Sequence, residues 1–507
     1  MANGRQIAKN TMYLYIRMFF VMLVSLYTVR IVIRVLGITD YGIFNAVGGI
    51  VLIMSFLSHT ITYAAQRYFS FEIGRSDANR LRIVFNTTLF IYIILAVCIA
   101  IIVEFAGLWF LENKMLIPDE RMVAAHWVLH FSLLSFIVSI VYTPFVAIVI
   151  SHERMDVYAC ISIVDVLLKL GVVYLLVFIS TDKLILYAFL LFVSSLLVAV
   201  FYILYCYSRF QETHLLYKLN RSLLSELVKY SSWAMFGSLA GAANTQGVNL
   251  LFNTFFGPNV NASQSVAIHV GNALQLFSTS IFTAIRPPMT KDYAKGNYND
   301  VMSLFYKSSR FSYFLLFMVL LPLYVELPFI LKIWIGNVDE YMVSFSRMML
   351  IYIVILAVSN PITIIAQAAN KVKLYHGVVD SFTLLTLVIS YFVLLCGFTA
   401  EKVYWVMIAI MLVAHVIRLE IMRKIVPFSY IEYVKCFILR AVFVSIISAI
   451  PVLLLYNSLE ENIISCLVII VSSLTWTALS VLLFGIGVDE RKTVIQKVVS
   501  ITKGQVL

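Results

Sequence analysis

The chain has 507 residues, of which 62% are hydrophobic and only 12% charged, with a mean hydropathy of +0.95. Soluble domains carry about a quarter charged residues, so composition excludes an ordinary soluble protein. The net charge of +11 does not point to nucleic acid, because helical membrane proteins gather Lys and Arg in their cytoplasmic loops.

The first apolar run extends from Met12 to Val35, about two dozen residues, enough to cross a ~30 Å hydrocarbon core with some tilt. Arg5 and Lys9 precede it, but the run is too long for a leader and no small-residue cleavage site follows, so it reads as a retained first span. Further runs centre near residues 52, 95, 138, 168, 195, 244, 272, 322, 354, 386, 412, 445 and 473. The expectation is therefore an all-α polytopic membrane protein of about fourteen transmembrane helices. An even number puts both termini on one side. The gaps on that side hold Arg67, Arg75, Arg80, Arg82, Arg154, Arg209, Lys218, Arg286, Lys291 and Arg423, among others. The opposite gaps hold few bases, such as Lys114, Arg121 and Lys183. The positive-inside rule then makes both termini cytoplasmic. The six cysteines sit in or beside apolar runs without metal-ligand spacing, and read as small core residues.

The turn Leu36-Gly37-Ile38-Thr39-Asp40-Tyr41-Gly42 ends the first run, and Asn253-Thr254-Phe255-Phe256-Gly257-Pro258-Asn259 ends another some 220 residues on. Further pairs keep the order. Ala65-Gln66-Arg67 with Gly74 echoes Ala284-Ile285-Arg286 with Gly296, and Pro144 with Tyr158 and Tyr174 echoes Pro361 with Tyr375 and Tyr391. Six spans per copy is even, so the copies share one orientation, a parallel repeat as in some transporter folds. The reading divides the chain into a six-helix lobe at 1–208, a cytoplasmic linker at 209–229 and a second six-helix lobe at 230–424. Two additional helices and a cytoplasmic tail occupy 425–507.

The Leu36-Gly37-x-x-Asp40-Tyr41-Gly42 turn, Ala65-x-Arg67 with Gly74 beyond it, and the two halves resemble the polysaccharide-exporter branch of the MOP superfamily. That branch contains Wzx-type flippases and is related to the lipid II flippases and MATE drug exporters. The resemblance covers nearly the whole chain. It implies a MATE-like two-lobe fold in a bacterial cytoplasmic (inner) membrane. It also implies translocation of undecaprenyl-pyrophosphate-linked oligosaccharide, as in O-antigen, capsule or lipopolysaccharide synthesis, from inner to outer leaflet by alternating access. The expected partners are that substrate, membrane lipids and a polysaccharide polymerase or assembly machinery. Each chain holds both lobes, so a monomer is expected.

Ionisable groups inside a membrane are functional candidates, since an unpaired charge there costs several kcal/mol. Span eight carries Ser265, His269, Asn272, Thr279, Thr283 and Arg286 at spacings of three, four or seven, on one helical face. Span two carries Asn45, Gly49, Ser55, His59, Thr62 and Gln66, with Arg67 adjacent. Such stripes either line a wet cavity or pack helix against helix. In span seven, Gln246, Asn249 and Asn253 share a face behind the small residues Gly237 to Ala243, where amides suit sugar hydroxyls and small residues suit close packing.

Arg17 lies near the cytoplasmic end of span one, and Arg30 and Arg34 form an i,i+4 pair near its outer end, on a different face. Arginine's planar fork suits a diphosphate, while snorkelling to the headgroups is the plainer role. Asp165 and Lys169 in span five read as either a self-neutralising pair or an ion relay. Asp380 in span eleven has no evident local partner and is the stronger ion-coupling candidate. No cofactor or metal is expected beyond a coupling H+ or Na+.

The chain lacks a Gly-x-x-x-x-Gly-Lys-Ser/Thr phosphate loop, so an ion gradient, the membrane potential or use of the product must drive transport. A MATE-like drug or cation antiporter is the second transporter reading, disfavoured because buried bases outnumber buried acids. A polytopic polymerase or glycosyltransferase is the enzymatic alternative. The short outer gaps and the two-fold repeat argue against it.

Overall fold

The structure is a computed structural model. It describes residues 2–54, 65–66, 68–69, 72–73, 77–152, 154–179, 181–214, 239–369, 371–487 and 491. All described regular elements are helical. In chain order they are α1 (Ala2–Leu36), α2 (Ile38–Ile53) and α3 (Ala78–Ile102), the last extended through a π-turn to Lys114. Next come α4 (Met122–Ser151), α5 (Met155–Phe178), α6 (Lys183–Arg209), α7 (Val248–Phe256) and α8 (Pro258–Ala294). The remainder are α9 (Tyr298–Val325), α10 (Glu340–Ala368), α11 (Ser381–Leu395), α12 (Glu401–Arg423), α13 (Leu439–Ser458) and α14 (Ile463–Ser480).

Eleven helices among the described residues are long and apolar enough to span a membrane. They coincide with eleven of the expected centres. The other three centres fall on α2, on the π-turn Ala243–Gly247 that leads into α7, and on α8. Chain flanking α2 and α7 lies outside the described residues, and α8 is diluted by its own Asn, Gln, Ser and His side chains.

The two motif turns have the same backbone. Gly37 has φ 84° and Gly257 φ 82°, a left-handed conformation that glycine adopts without steric penalty. Pro258 then opens α8 at the first helical position, where its missing N–H is harmless. Pro144 and Pro361 both lie inside long helices, α4 and α10.

The chain forms two compact units, Met1–Ser265 with His376–Val403, and Val266–Tyr375 with Tyr404–Leu507. The six-helix lobes expected at 1–208 and 230–424 are a division by repeat and not by contact, and two sets of contacts draw the unit boundary elsewhere. Amide and hydroxyl side chains of α7 and early α8 bond into α2, and Gly247, in the π-turn before α7, lies against Leu387 of α11. The first unit has a core of Ile43, Val47, Ile99, Leu129 and Ile140 where α2, α3 and α4 meet, and a second core around Phe69, Phe85, Phe145 and Tyr202. In the second unit Phe317, Leu321 and Val325 of α9 pack on Val452 of α13 and Ile469 of α14. The opposite faces of α13 and α14 expose Phe443, Ile446, Leu454, Leu467 and Val471, as a lipid environment requires.

Candidate functional site

In the first unit, the loops after α1, α3, α5 and α7 meet at one end through polar contacts. Arg121, just before α4, donates from Nε to Asp40 Oδ1 at 2.8 Å and from Nη2 to Asp40 Oδ2, and its Nη1 reaches Asp182 Oδ2 at 2.7 Å. One planar fork thus joins three connections, a geometry lysine cannot reproduce. Asp182 also caps α6, accepting from the backbone N–H of Leu184 and Ile185. Thr39 donates to Asn259 Oδ1 at 3.0 Å, and the Tyr41 and Ser265 hydroxyls lie 3.0 Å apart. Thr39 and Asn259 hold the same place in the two motif turns, two residues past each glycine. The turns therefore touch at equivalent positions.

Below these turns α7 leans on α2. Asn249 donates to the Asn45 carbonyl at 3.0 Å, Asn261 donates to Asn249 Oδ1 at 2.8 Å, and Asn253 Oδ1 accepts from Leu116 N at 3.0 Å. Gly49 makes this approach possible, because a Cβ there would stand 3.0 Å from Asn249 Nδ2 and 3.2 Å from Gln246 Oε1. Asn249 and Asn253 are buried, so the packing alternative holds for these two amides and for Ser265.

The cations divide differently. Arg17 is half-buried, its guanidinium 4.5 Å from the Tyr158 ring centroid and its Nε buried without a hydrogen-bond partner. It packs α1 against α5. Arg30 and Arg34 are both exposed on α1, with no ion pair among the described residues. In the second unit Arg286 and Asn272 are exposed on α8, and His269 is half-buried. His59 and Arg67 lie outside the described residues, as do the side chains of Thr279 and Thr283.

The acidic candidates have partners. Lys169 Nζ is 2.9 Å from Asp165 Oδ2, the self-neutralising pair that the spacing allows. Asp380 differs from expectation. Rather than lacking a local partner, its Oδ2 sits 2.7 Å from His376 Nδ1, one turn earlier. A π-turn at His376–Asp380, preceded by a helical turn at Val372–Tyr375, leads into α11, and a second π-turn, Ala243–Gly247, leads into α7. Such bulges concentrate at functional sites.

Sequence reasoning missed the Asp40–Arg121–Asp182 cluster. Its members lie 81 and 61 residues apart, in the first turn of α2 and in two connections between helices, and only the expectation that these segments share one side hinted at a meeting. At the other end of this unit, His152 Nε2 meets Glu212 Oε1 at 2.5 Å, and Arg82 and Asn86 both donate to the His214 carbonyl. Burial pushes the Glu212 carboxyl up, but hydrogen bonds from His152 and the backbone outweigh it and hold the group below the usual glutamate range.

This all-helical, multi-span architecture is shared, as a fold, with solved membrane transporters. The inward-facing multidrug MATE transporter superposes with a TM-score of 0.67 at 14% identity, over 81% of this chain and 97% of that one. The lipid II flippase MurJ in its inward closed conformation gives 0.68 at 12%, over 93% and 98%. The MATE multidrug transporter DinF-BH gives 0.64 at 15%, over 83% and 95%. No curated protein matches significantly in sequence. The Polysaccharide biosynthesis protein family matches residues 7–292, more than half of the chain, and the protein belongs to that family.

Proposed function

We propose that this protein is a flippase for undecaprenyl-pyrophosphate-linked oligosaccharide, the repeat unit of an O-antigen, capsule or related glycan, and not an enzyme. The observation that carries the reading is the pair Arg30 and Arg34, exposed one turn apart within an apolar helix and without a carboxylate partner among the described residues. Two such cations in hydrocarbon would cost several kcal/mol, whereas a diphosphate accepts two parallel hydrogen bonds from each fork. Membership of a polysaccharide biosynthesis family and the fold likeness to a lipid II flippase support the same substrate class.

In this reading the protein lies in the cytoplasmic membrane with both termini inside, from the loop charges, and the Arg121 cluster closes the outer end. Arg286, Arg17 and the half-buried polar groups His269 and Gln246 serve the substrate as it passes, and Arg67 and His59 belong to the same set. Asp380 with His376 is the ion-coupling pair, taking H+ in preference to Na+ because an imidazole occupies one side of the carboxylate. Asp380→Asn should then abolish any response of transport to an imposed pH gradient, and a retained response removes that assignment. The product passes to a polymerase or assembly machinery, and one chain is the working unit. Likeness to MATE multidrug transporters favours a drug antiporter as the second reading, but exposed unpaired arginines repel cationic drugs.

The test uses a bacterial strain lacking its own oligosaccharide flippase. Expression of this protein with the matching glycan genes should restore surface glycan and clear lipid-linked oligosaccharide from the inner leaflet. Continued accumulation with the protein folded in the membrane refutes the reading.

A further inference from the structure

The first unit holds a cavity of about 270 Å³ between α2, α4, α5 and α6. Gly48, on its α2 wall, lies eleven residues past Gly37, roughly 16 Å down the helix, so the cavity lies partway along the helices, and it is open on one side, where Leu52 and Lys169 of its lining are exposed. It is distinct from the arginines of α1, and nothing above gives it a role.

Its wall has two characters. Phe44 and Phe136 supply flat apolar surface, and Phe44 is held by the Tyr187 ring at 4.8 Å between centroids. Ser132, Ser135 and Ser139, spaced three and four apart, bring one polar face of α4 to the cavity. Ser135 and Ser139 donate their hydroxyl protons back into the helix, each at 2.8 Å to the carbonyls of Phe131 and Phe136. What they offer the cavity is therefore lone pairs. Lys169 lines the opposite side, and one of its three protons is committed to Asp165, leaving donors to spare. Asp165 cancels its charge, so the site as a whole is neutral.

A flat apolar wall, acceptors on one side and a neutralised donor group on the other match the faces of a sugar ring. Its C–H face packs on aromatics, and its hydroxyls both donate and accept. The wall is mainly apolar, and the serine hydroxyls and Lys169 are polar groups set into it, the mixed lining that a sugar ring presents its two kinds of surface to. An anion would have to displace Asp165, and a cation would meet Lys169. We propose that the cavity is a subsite for one neutral, polyhydroxylated sugar ring of the transported oligosaccharide. This rests on the flippase reading for its place in transport, but not for binding itself.

Gly48→Leu is the incisive variant. A Cβ there meets only Ser132 Oγ, at 3.9 Å, so the side chain grows into the cavity, removes no hydrogen bond and raises helix propensity. The full-length protein in detergent is titrated with methyl α-mannoside, methyl β-galactoside and methyl N-acetyl-β-glucosaminide while the melting temperature is read. At least one probe should stabilise the wild type by a few degrees beyond Gly48→Leu, which shares any general solvent effect of sugar. Lys169→Gln should weaken that probe about tenfold. In liposomes, Gly48→Leu should slow exchange of lipid-linked oligosaccharide at least tenfold. If no probe separates wild type from Gly48→Leu, the subsite is wrong, even where wild-type exchange upholds the flippase reading. If a probe separates them while wild-type exchange stays at background, the sugar site stands and the flippase reading falls.

Discussion

The loop end of the first unit and the exposed face of α1 both present arginine, in opposite surroundings. Arg121 has two carboxylates within hydrogen-bond reach and three connections to hold together. Arg30 and Arg34, a few residues from the same turn, are exposed and meet no carboxylate among the described residues. A satisfied arginine is explained by the fold it stabilises, whereas an unsatisfied one inside an apolar span requires something the fold does not supply. The residue type is uninformative, and the partner decides the role.

The sharpest way to break this comparison is to remove both sets and ask which loss hits transport and which hits stability. Arg30→Ala with Arg34→Ala should reduce exchange of lipid-linked oligosaccharide about a hundredfold, since each charge-assisted contact to a phosphate contributes about 1.5–3 kcal/mol. Melting temperature and membrane yield should stay unchanged, and a parallel loss of yield would make the pair structural. Arg121→Ala should do the reverse. Two carboxylates lose their shared cation, and with the group 30% exposed the destabilisation should be about 1–2 kcal/mol after allowing for solvent screening. Arg121→Lys should recover less than half of it. Full recovery in thermal unfolding would show that the fork geometry is irrelevant.

Smaller effects sharpen the contrast further. Gly49→Ala places a methyl against Asn249 and Gln246 and should destabilise by about 1 kcal/mol, the overpacking outweighing the gain in helix propensity. Adding Gln246→Ala should relieve part of that, and a neutral Gly49→Ala would mean that α2 and α7 are not tightly apposed. The least is expected of Glu212→Gln. Its carboxyl is held below the usual range in the folded state, so its contribution is present above the unfolded pKa of about 4.3 and is lost as pH falls through the folded value. The variant should melt slightly lower at pH 7 and together with the wild type near pH 3. A gap that widened in acid would reverse the sign.

Much of the architecture was legible in the sequence because hydrophobic run length is a local signal. Eleven expected spans have counterparts among the long apolar helices, and Gly37 and Gly257 marked turns at the ends of apolar runs, where the structure gives both a positive φ. The Asp165–Lys169 pair was legible for the same reason, a fixed spacing on one helix. Asp380 was not. His376 stands at the same i,i+4 spacing, and attention to acidic and basic residues alone passed over an imidazole. The division into compact units was also hidden, because it depends on which side chains of α7 reach α2, and hydropathy says nothing about that. The Arg121 cluster and the serine-lined cavity are long-range products of packing, assembled from residues that are unremarkable in their own segments.

The central claim is that this chain moves lipid-linked oligosaccharide across a bilayer, and the most direct measurement is leaflet exchange. Purified protein is placed in liposomes with labelled undecaprenyl-pyrophosphate oligosaccharide in both leaflets, and an impermeant enzyme removes label from outside. Label first protected inside should become accessible much faster than in protein-free vesicles, and Arg30→Ala with Arg34→Ala should return it close to that background. Protection that persists with folded wild-type protein under an imposed ion gradient would contradict the account, and lengthening of the glycan would mark the protein as an enzyme.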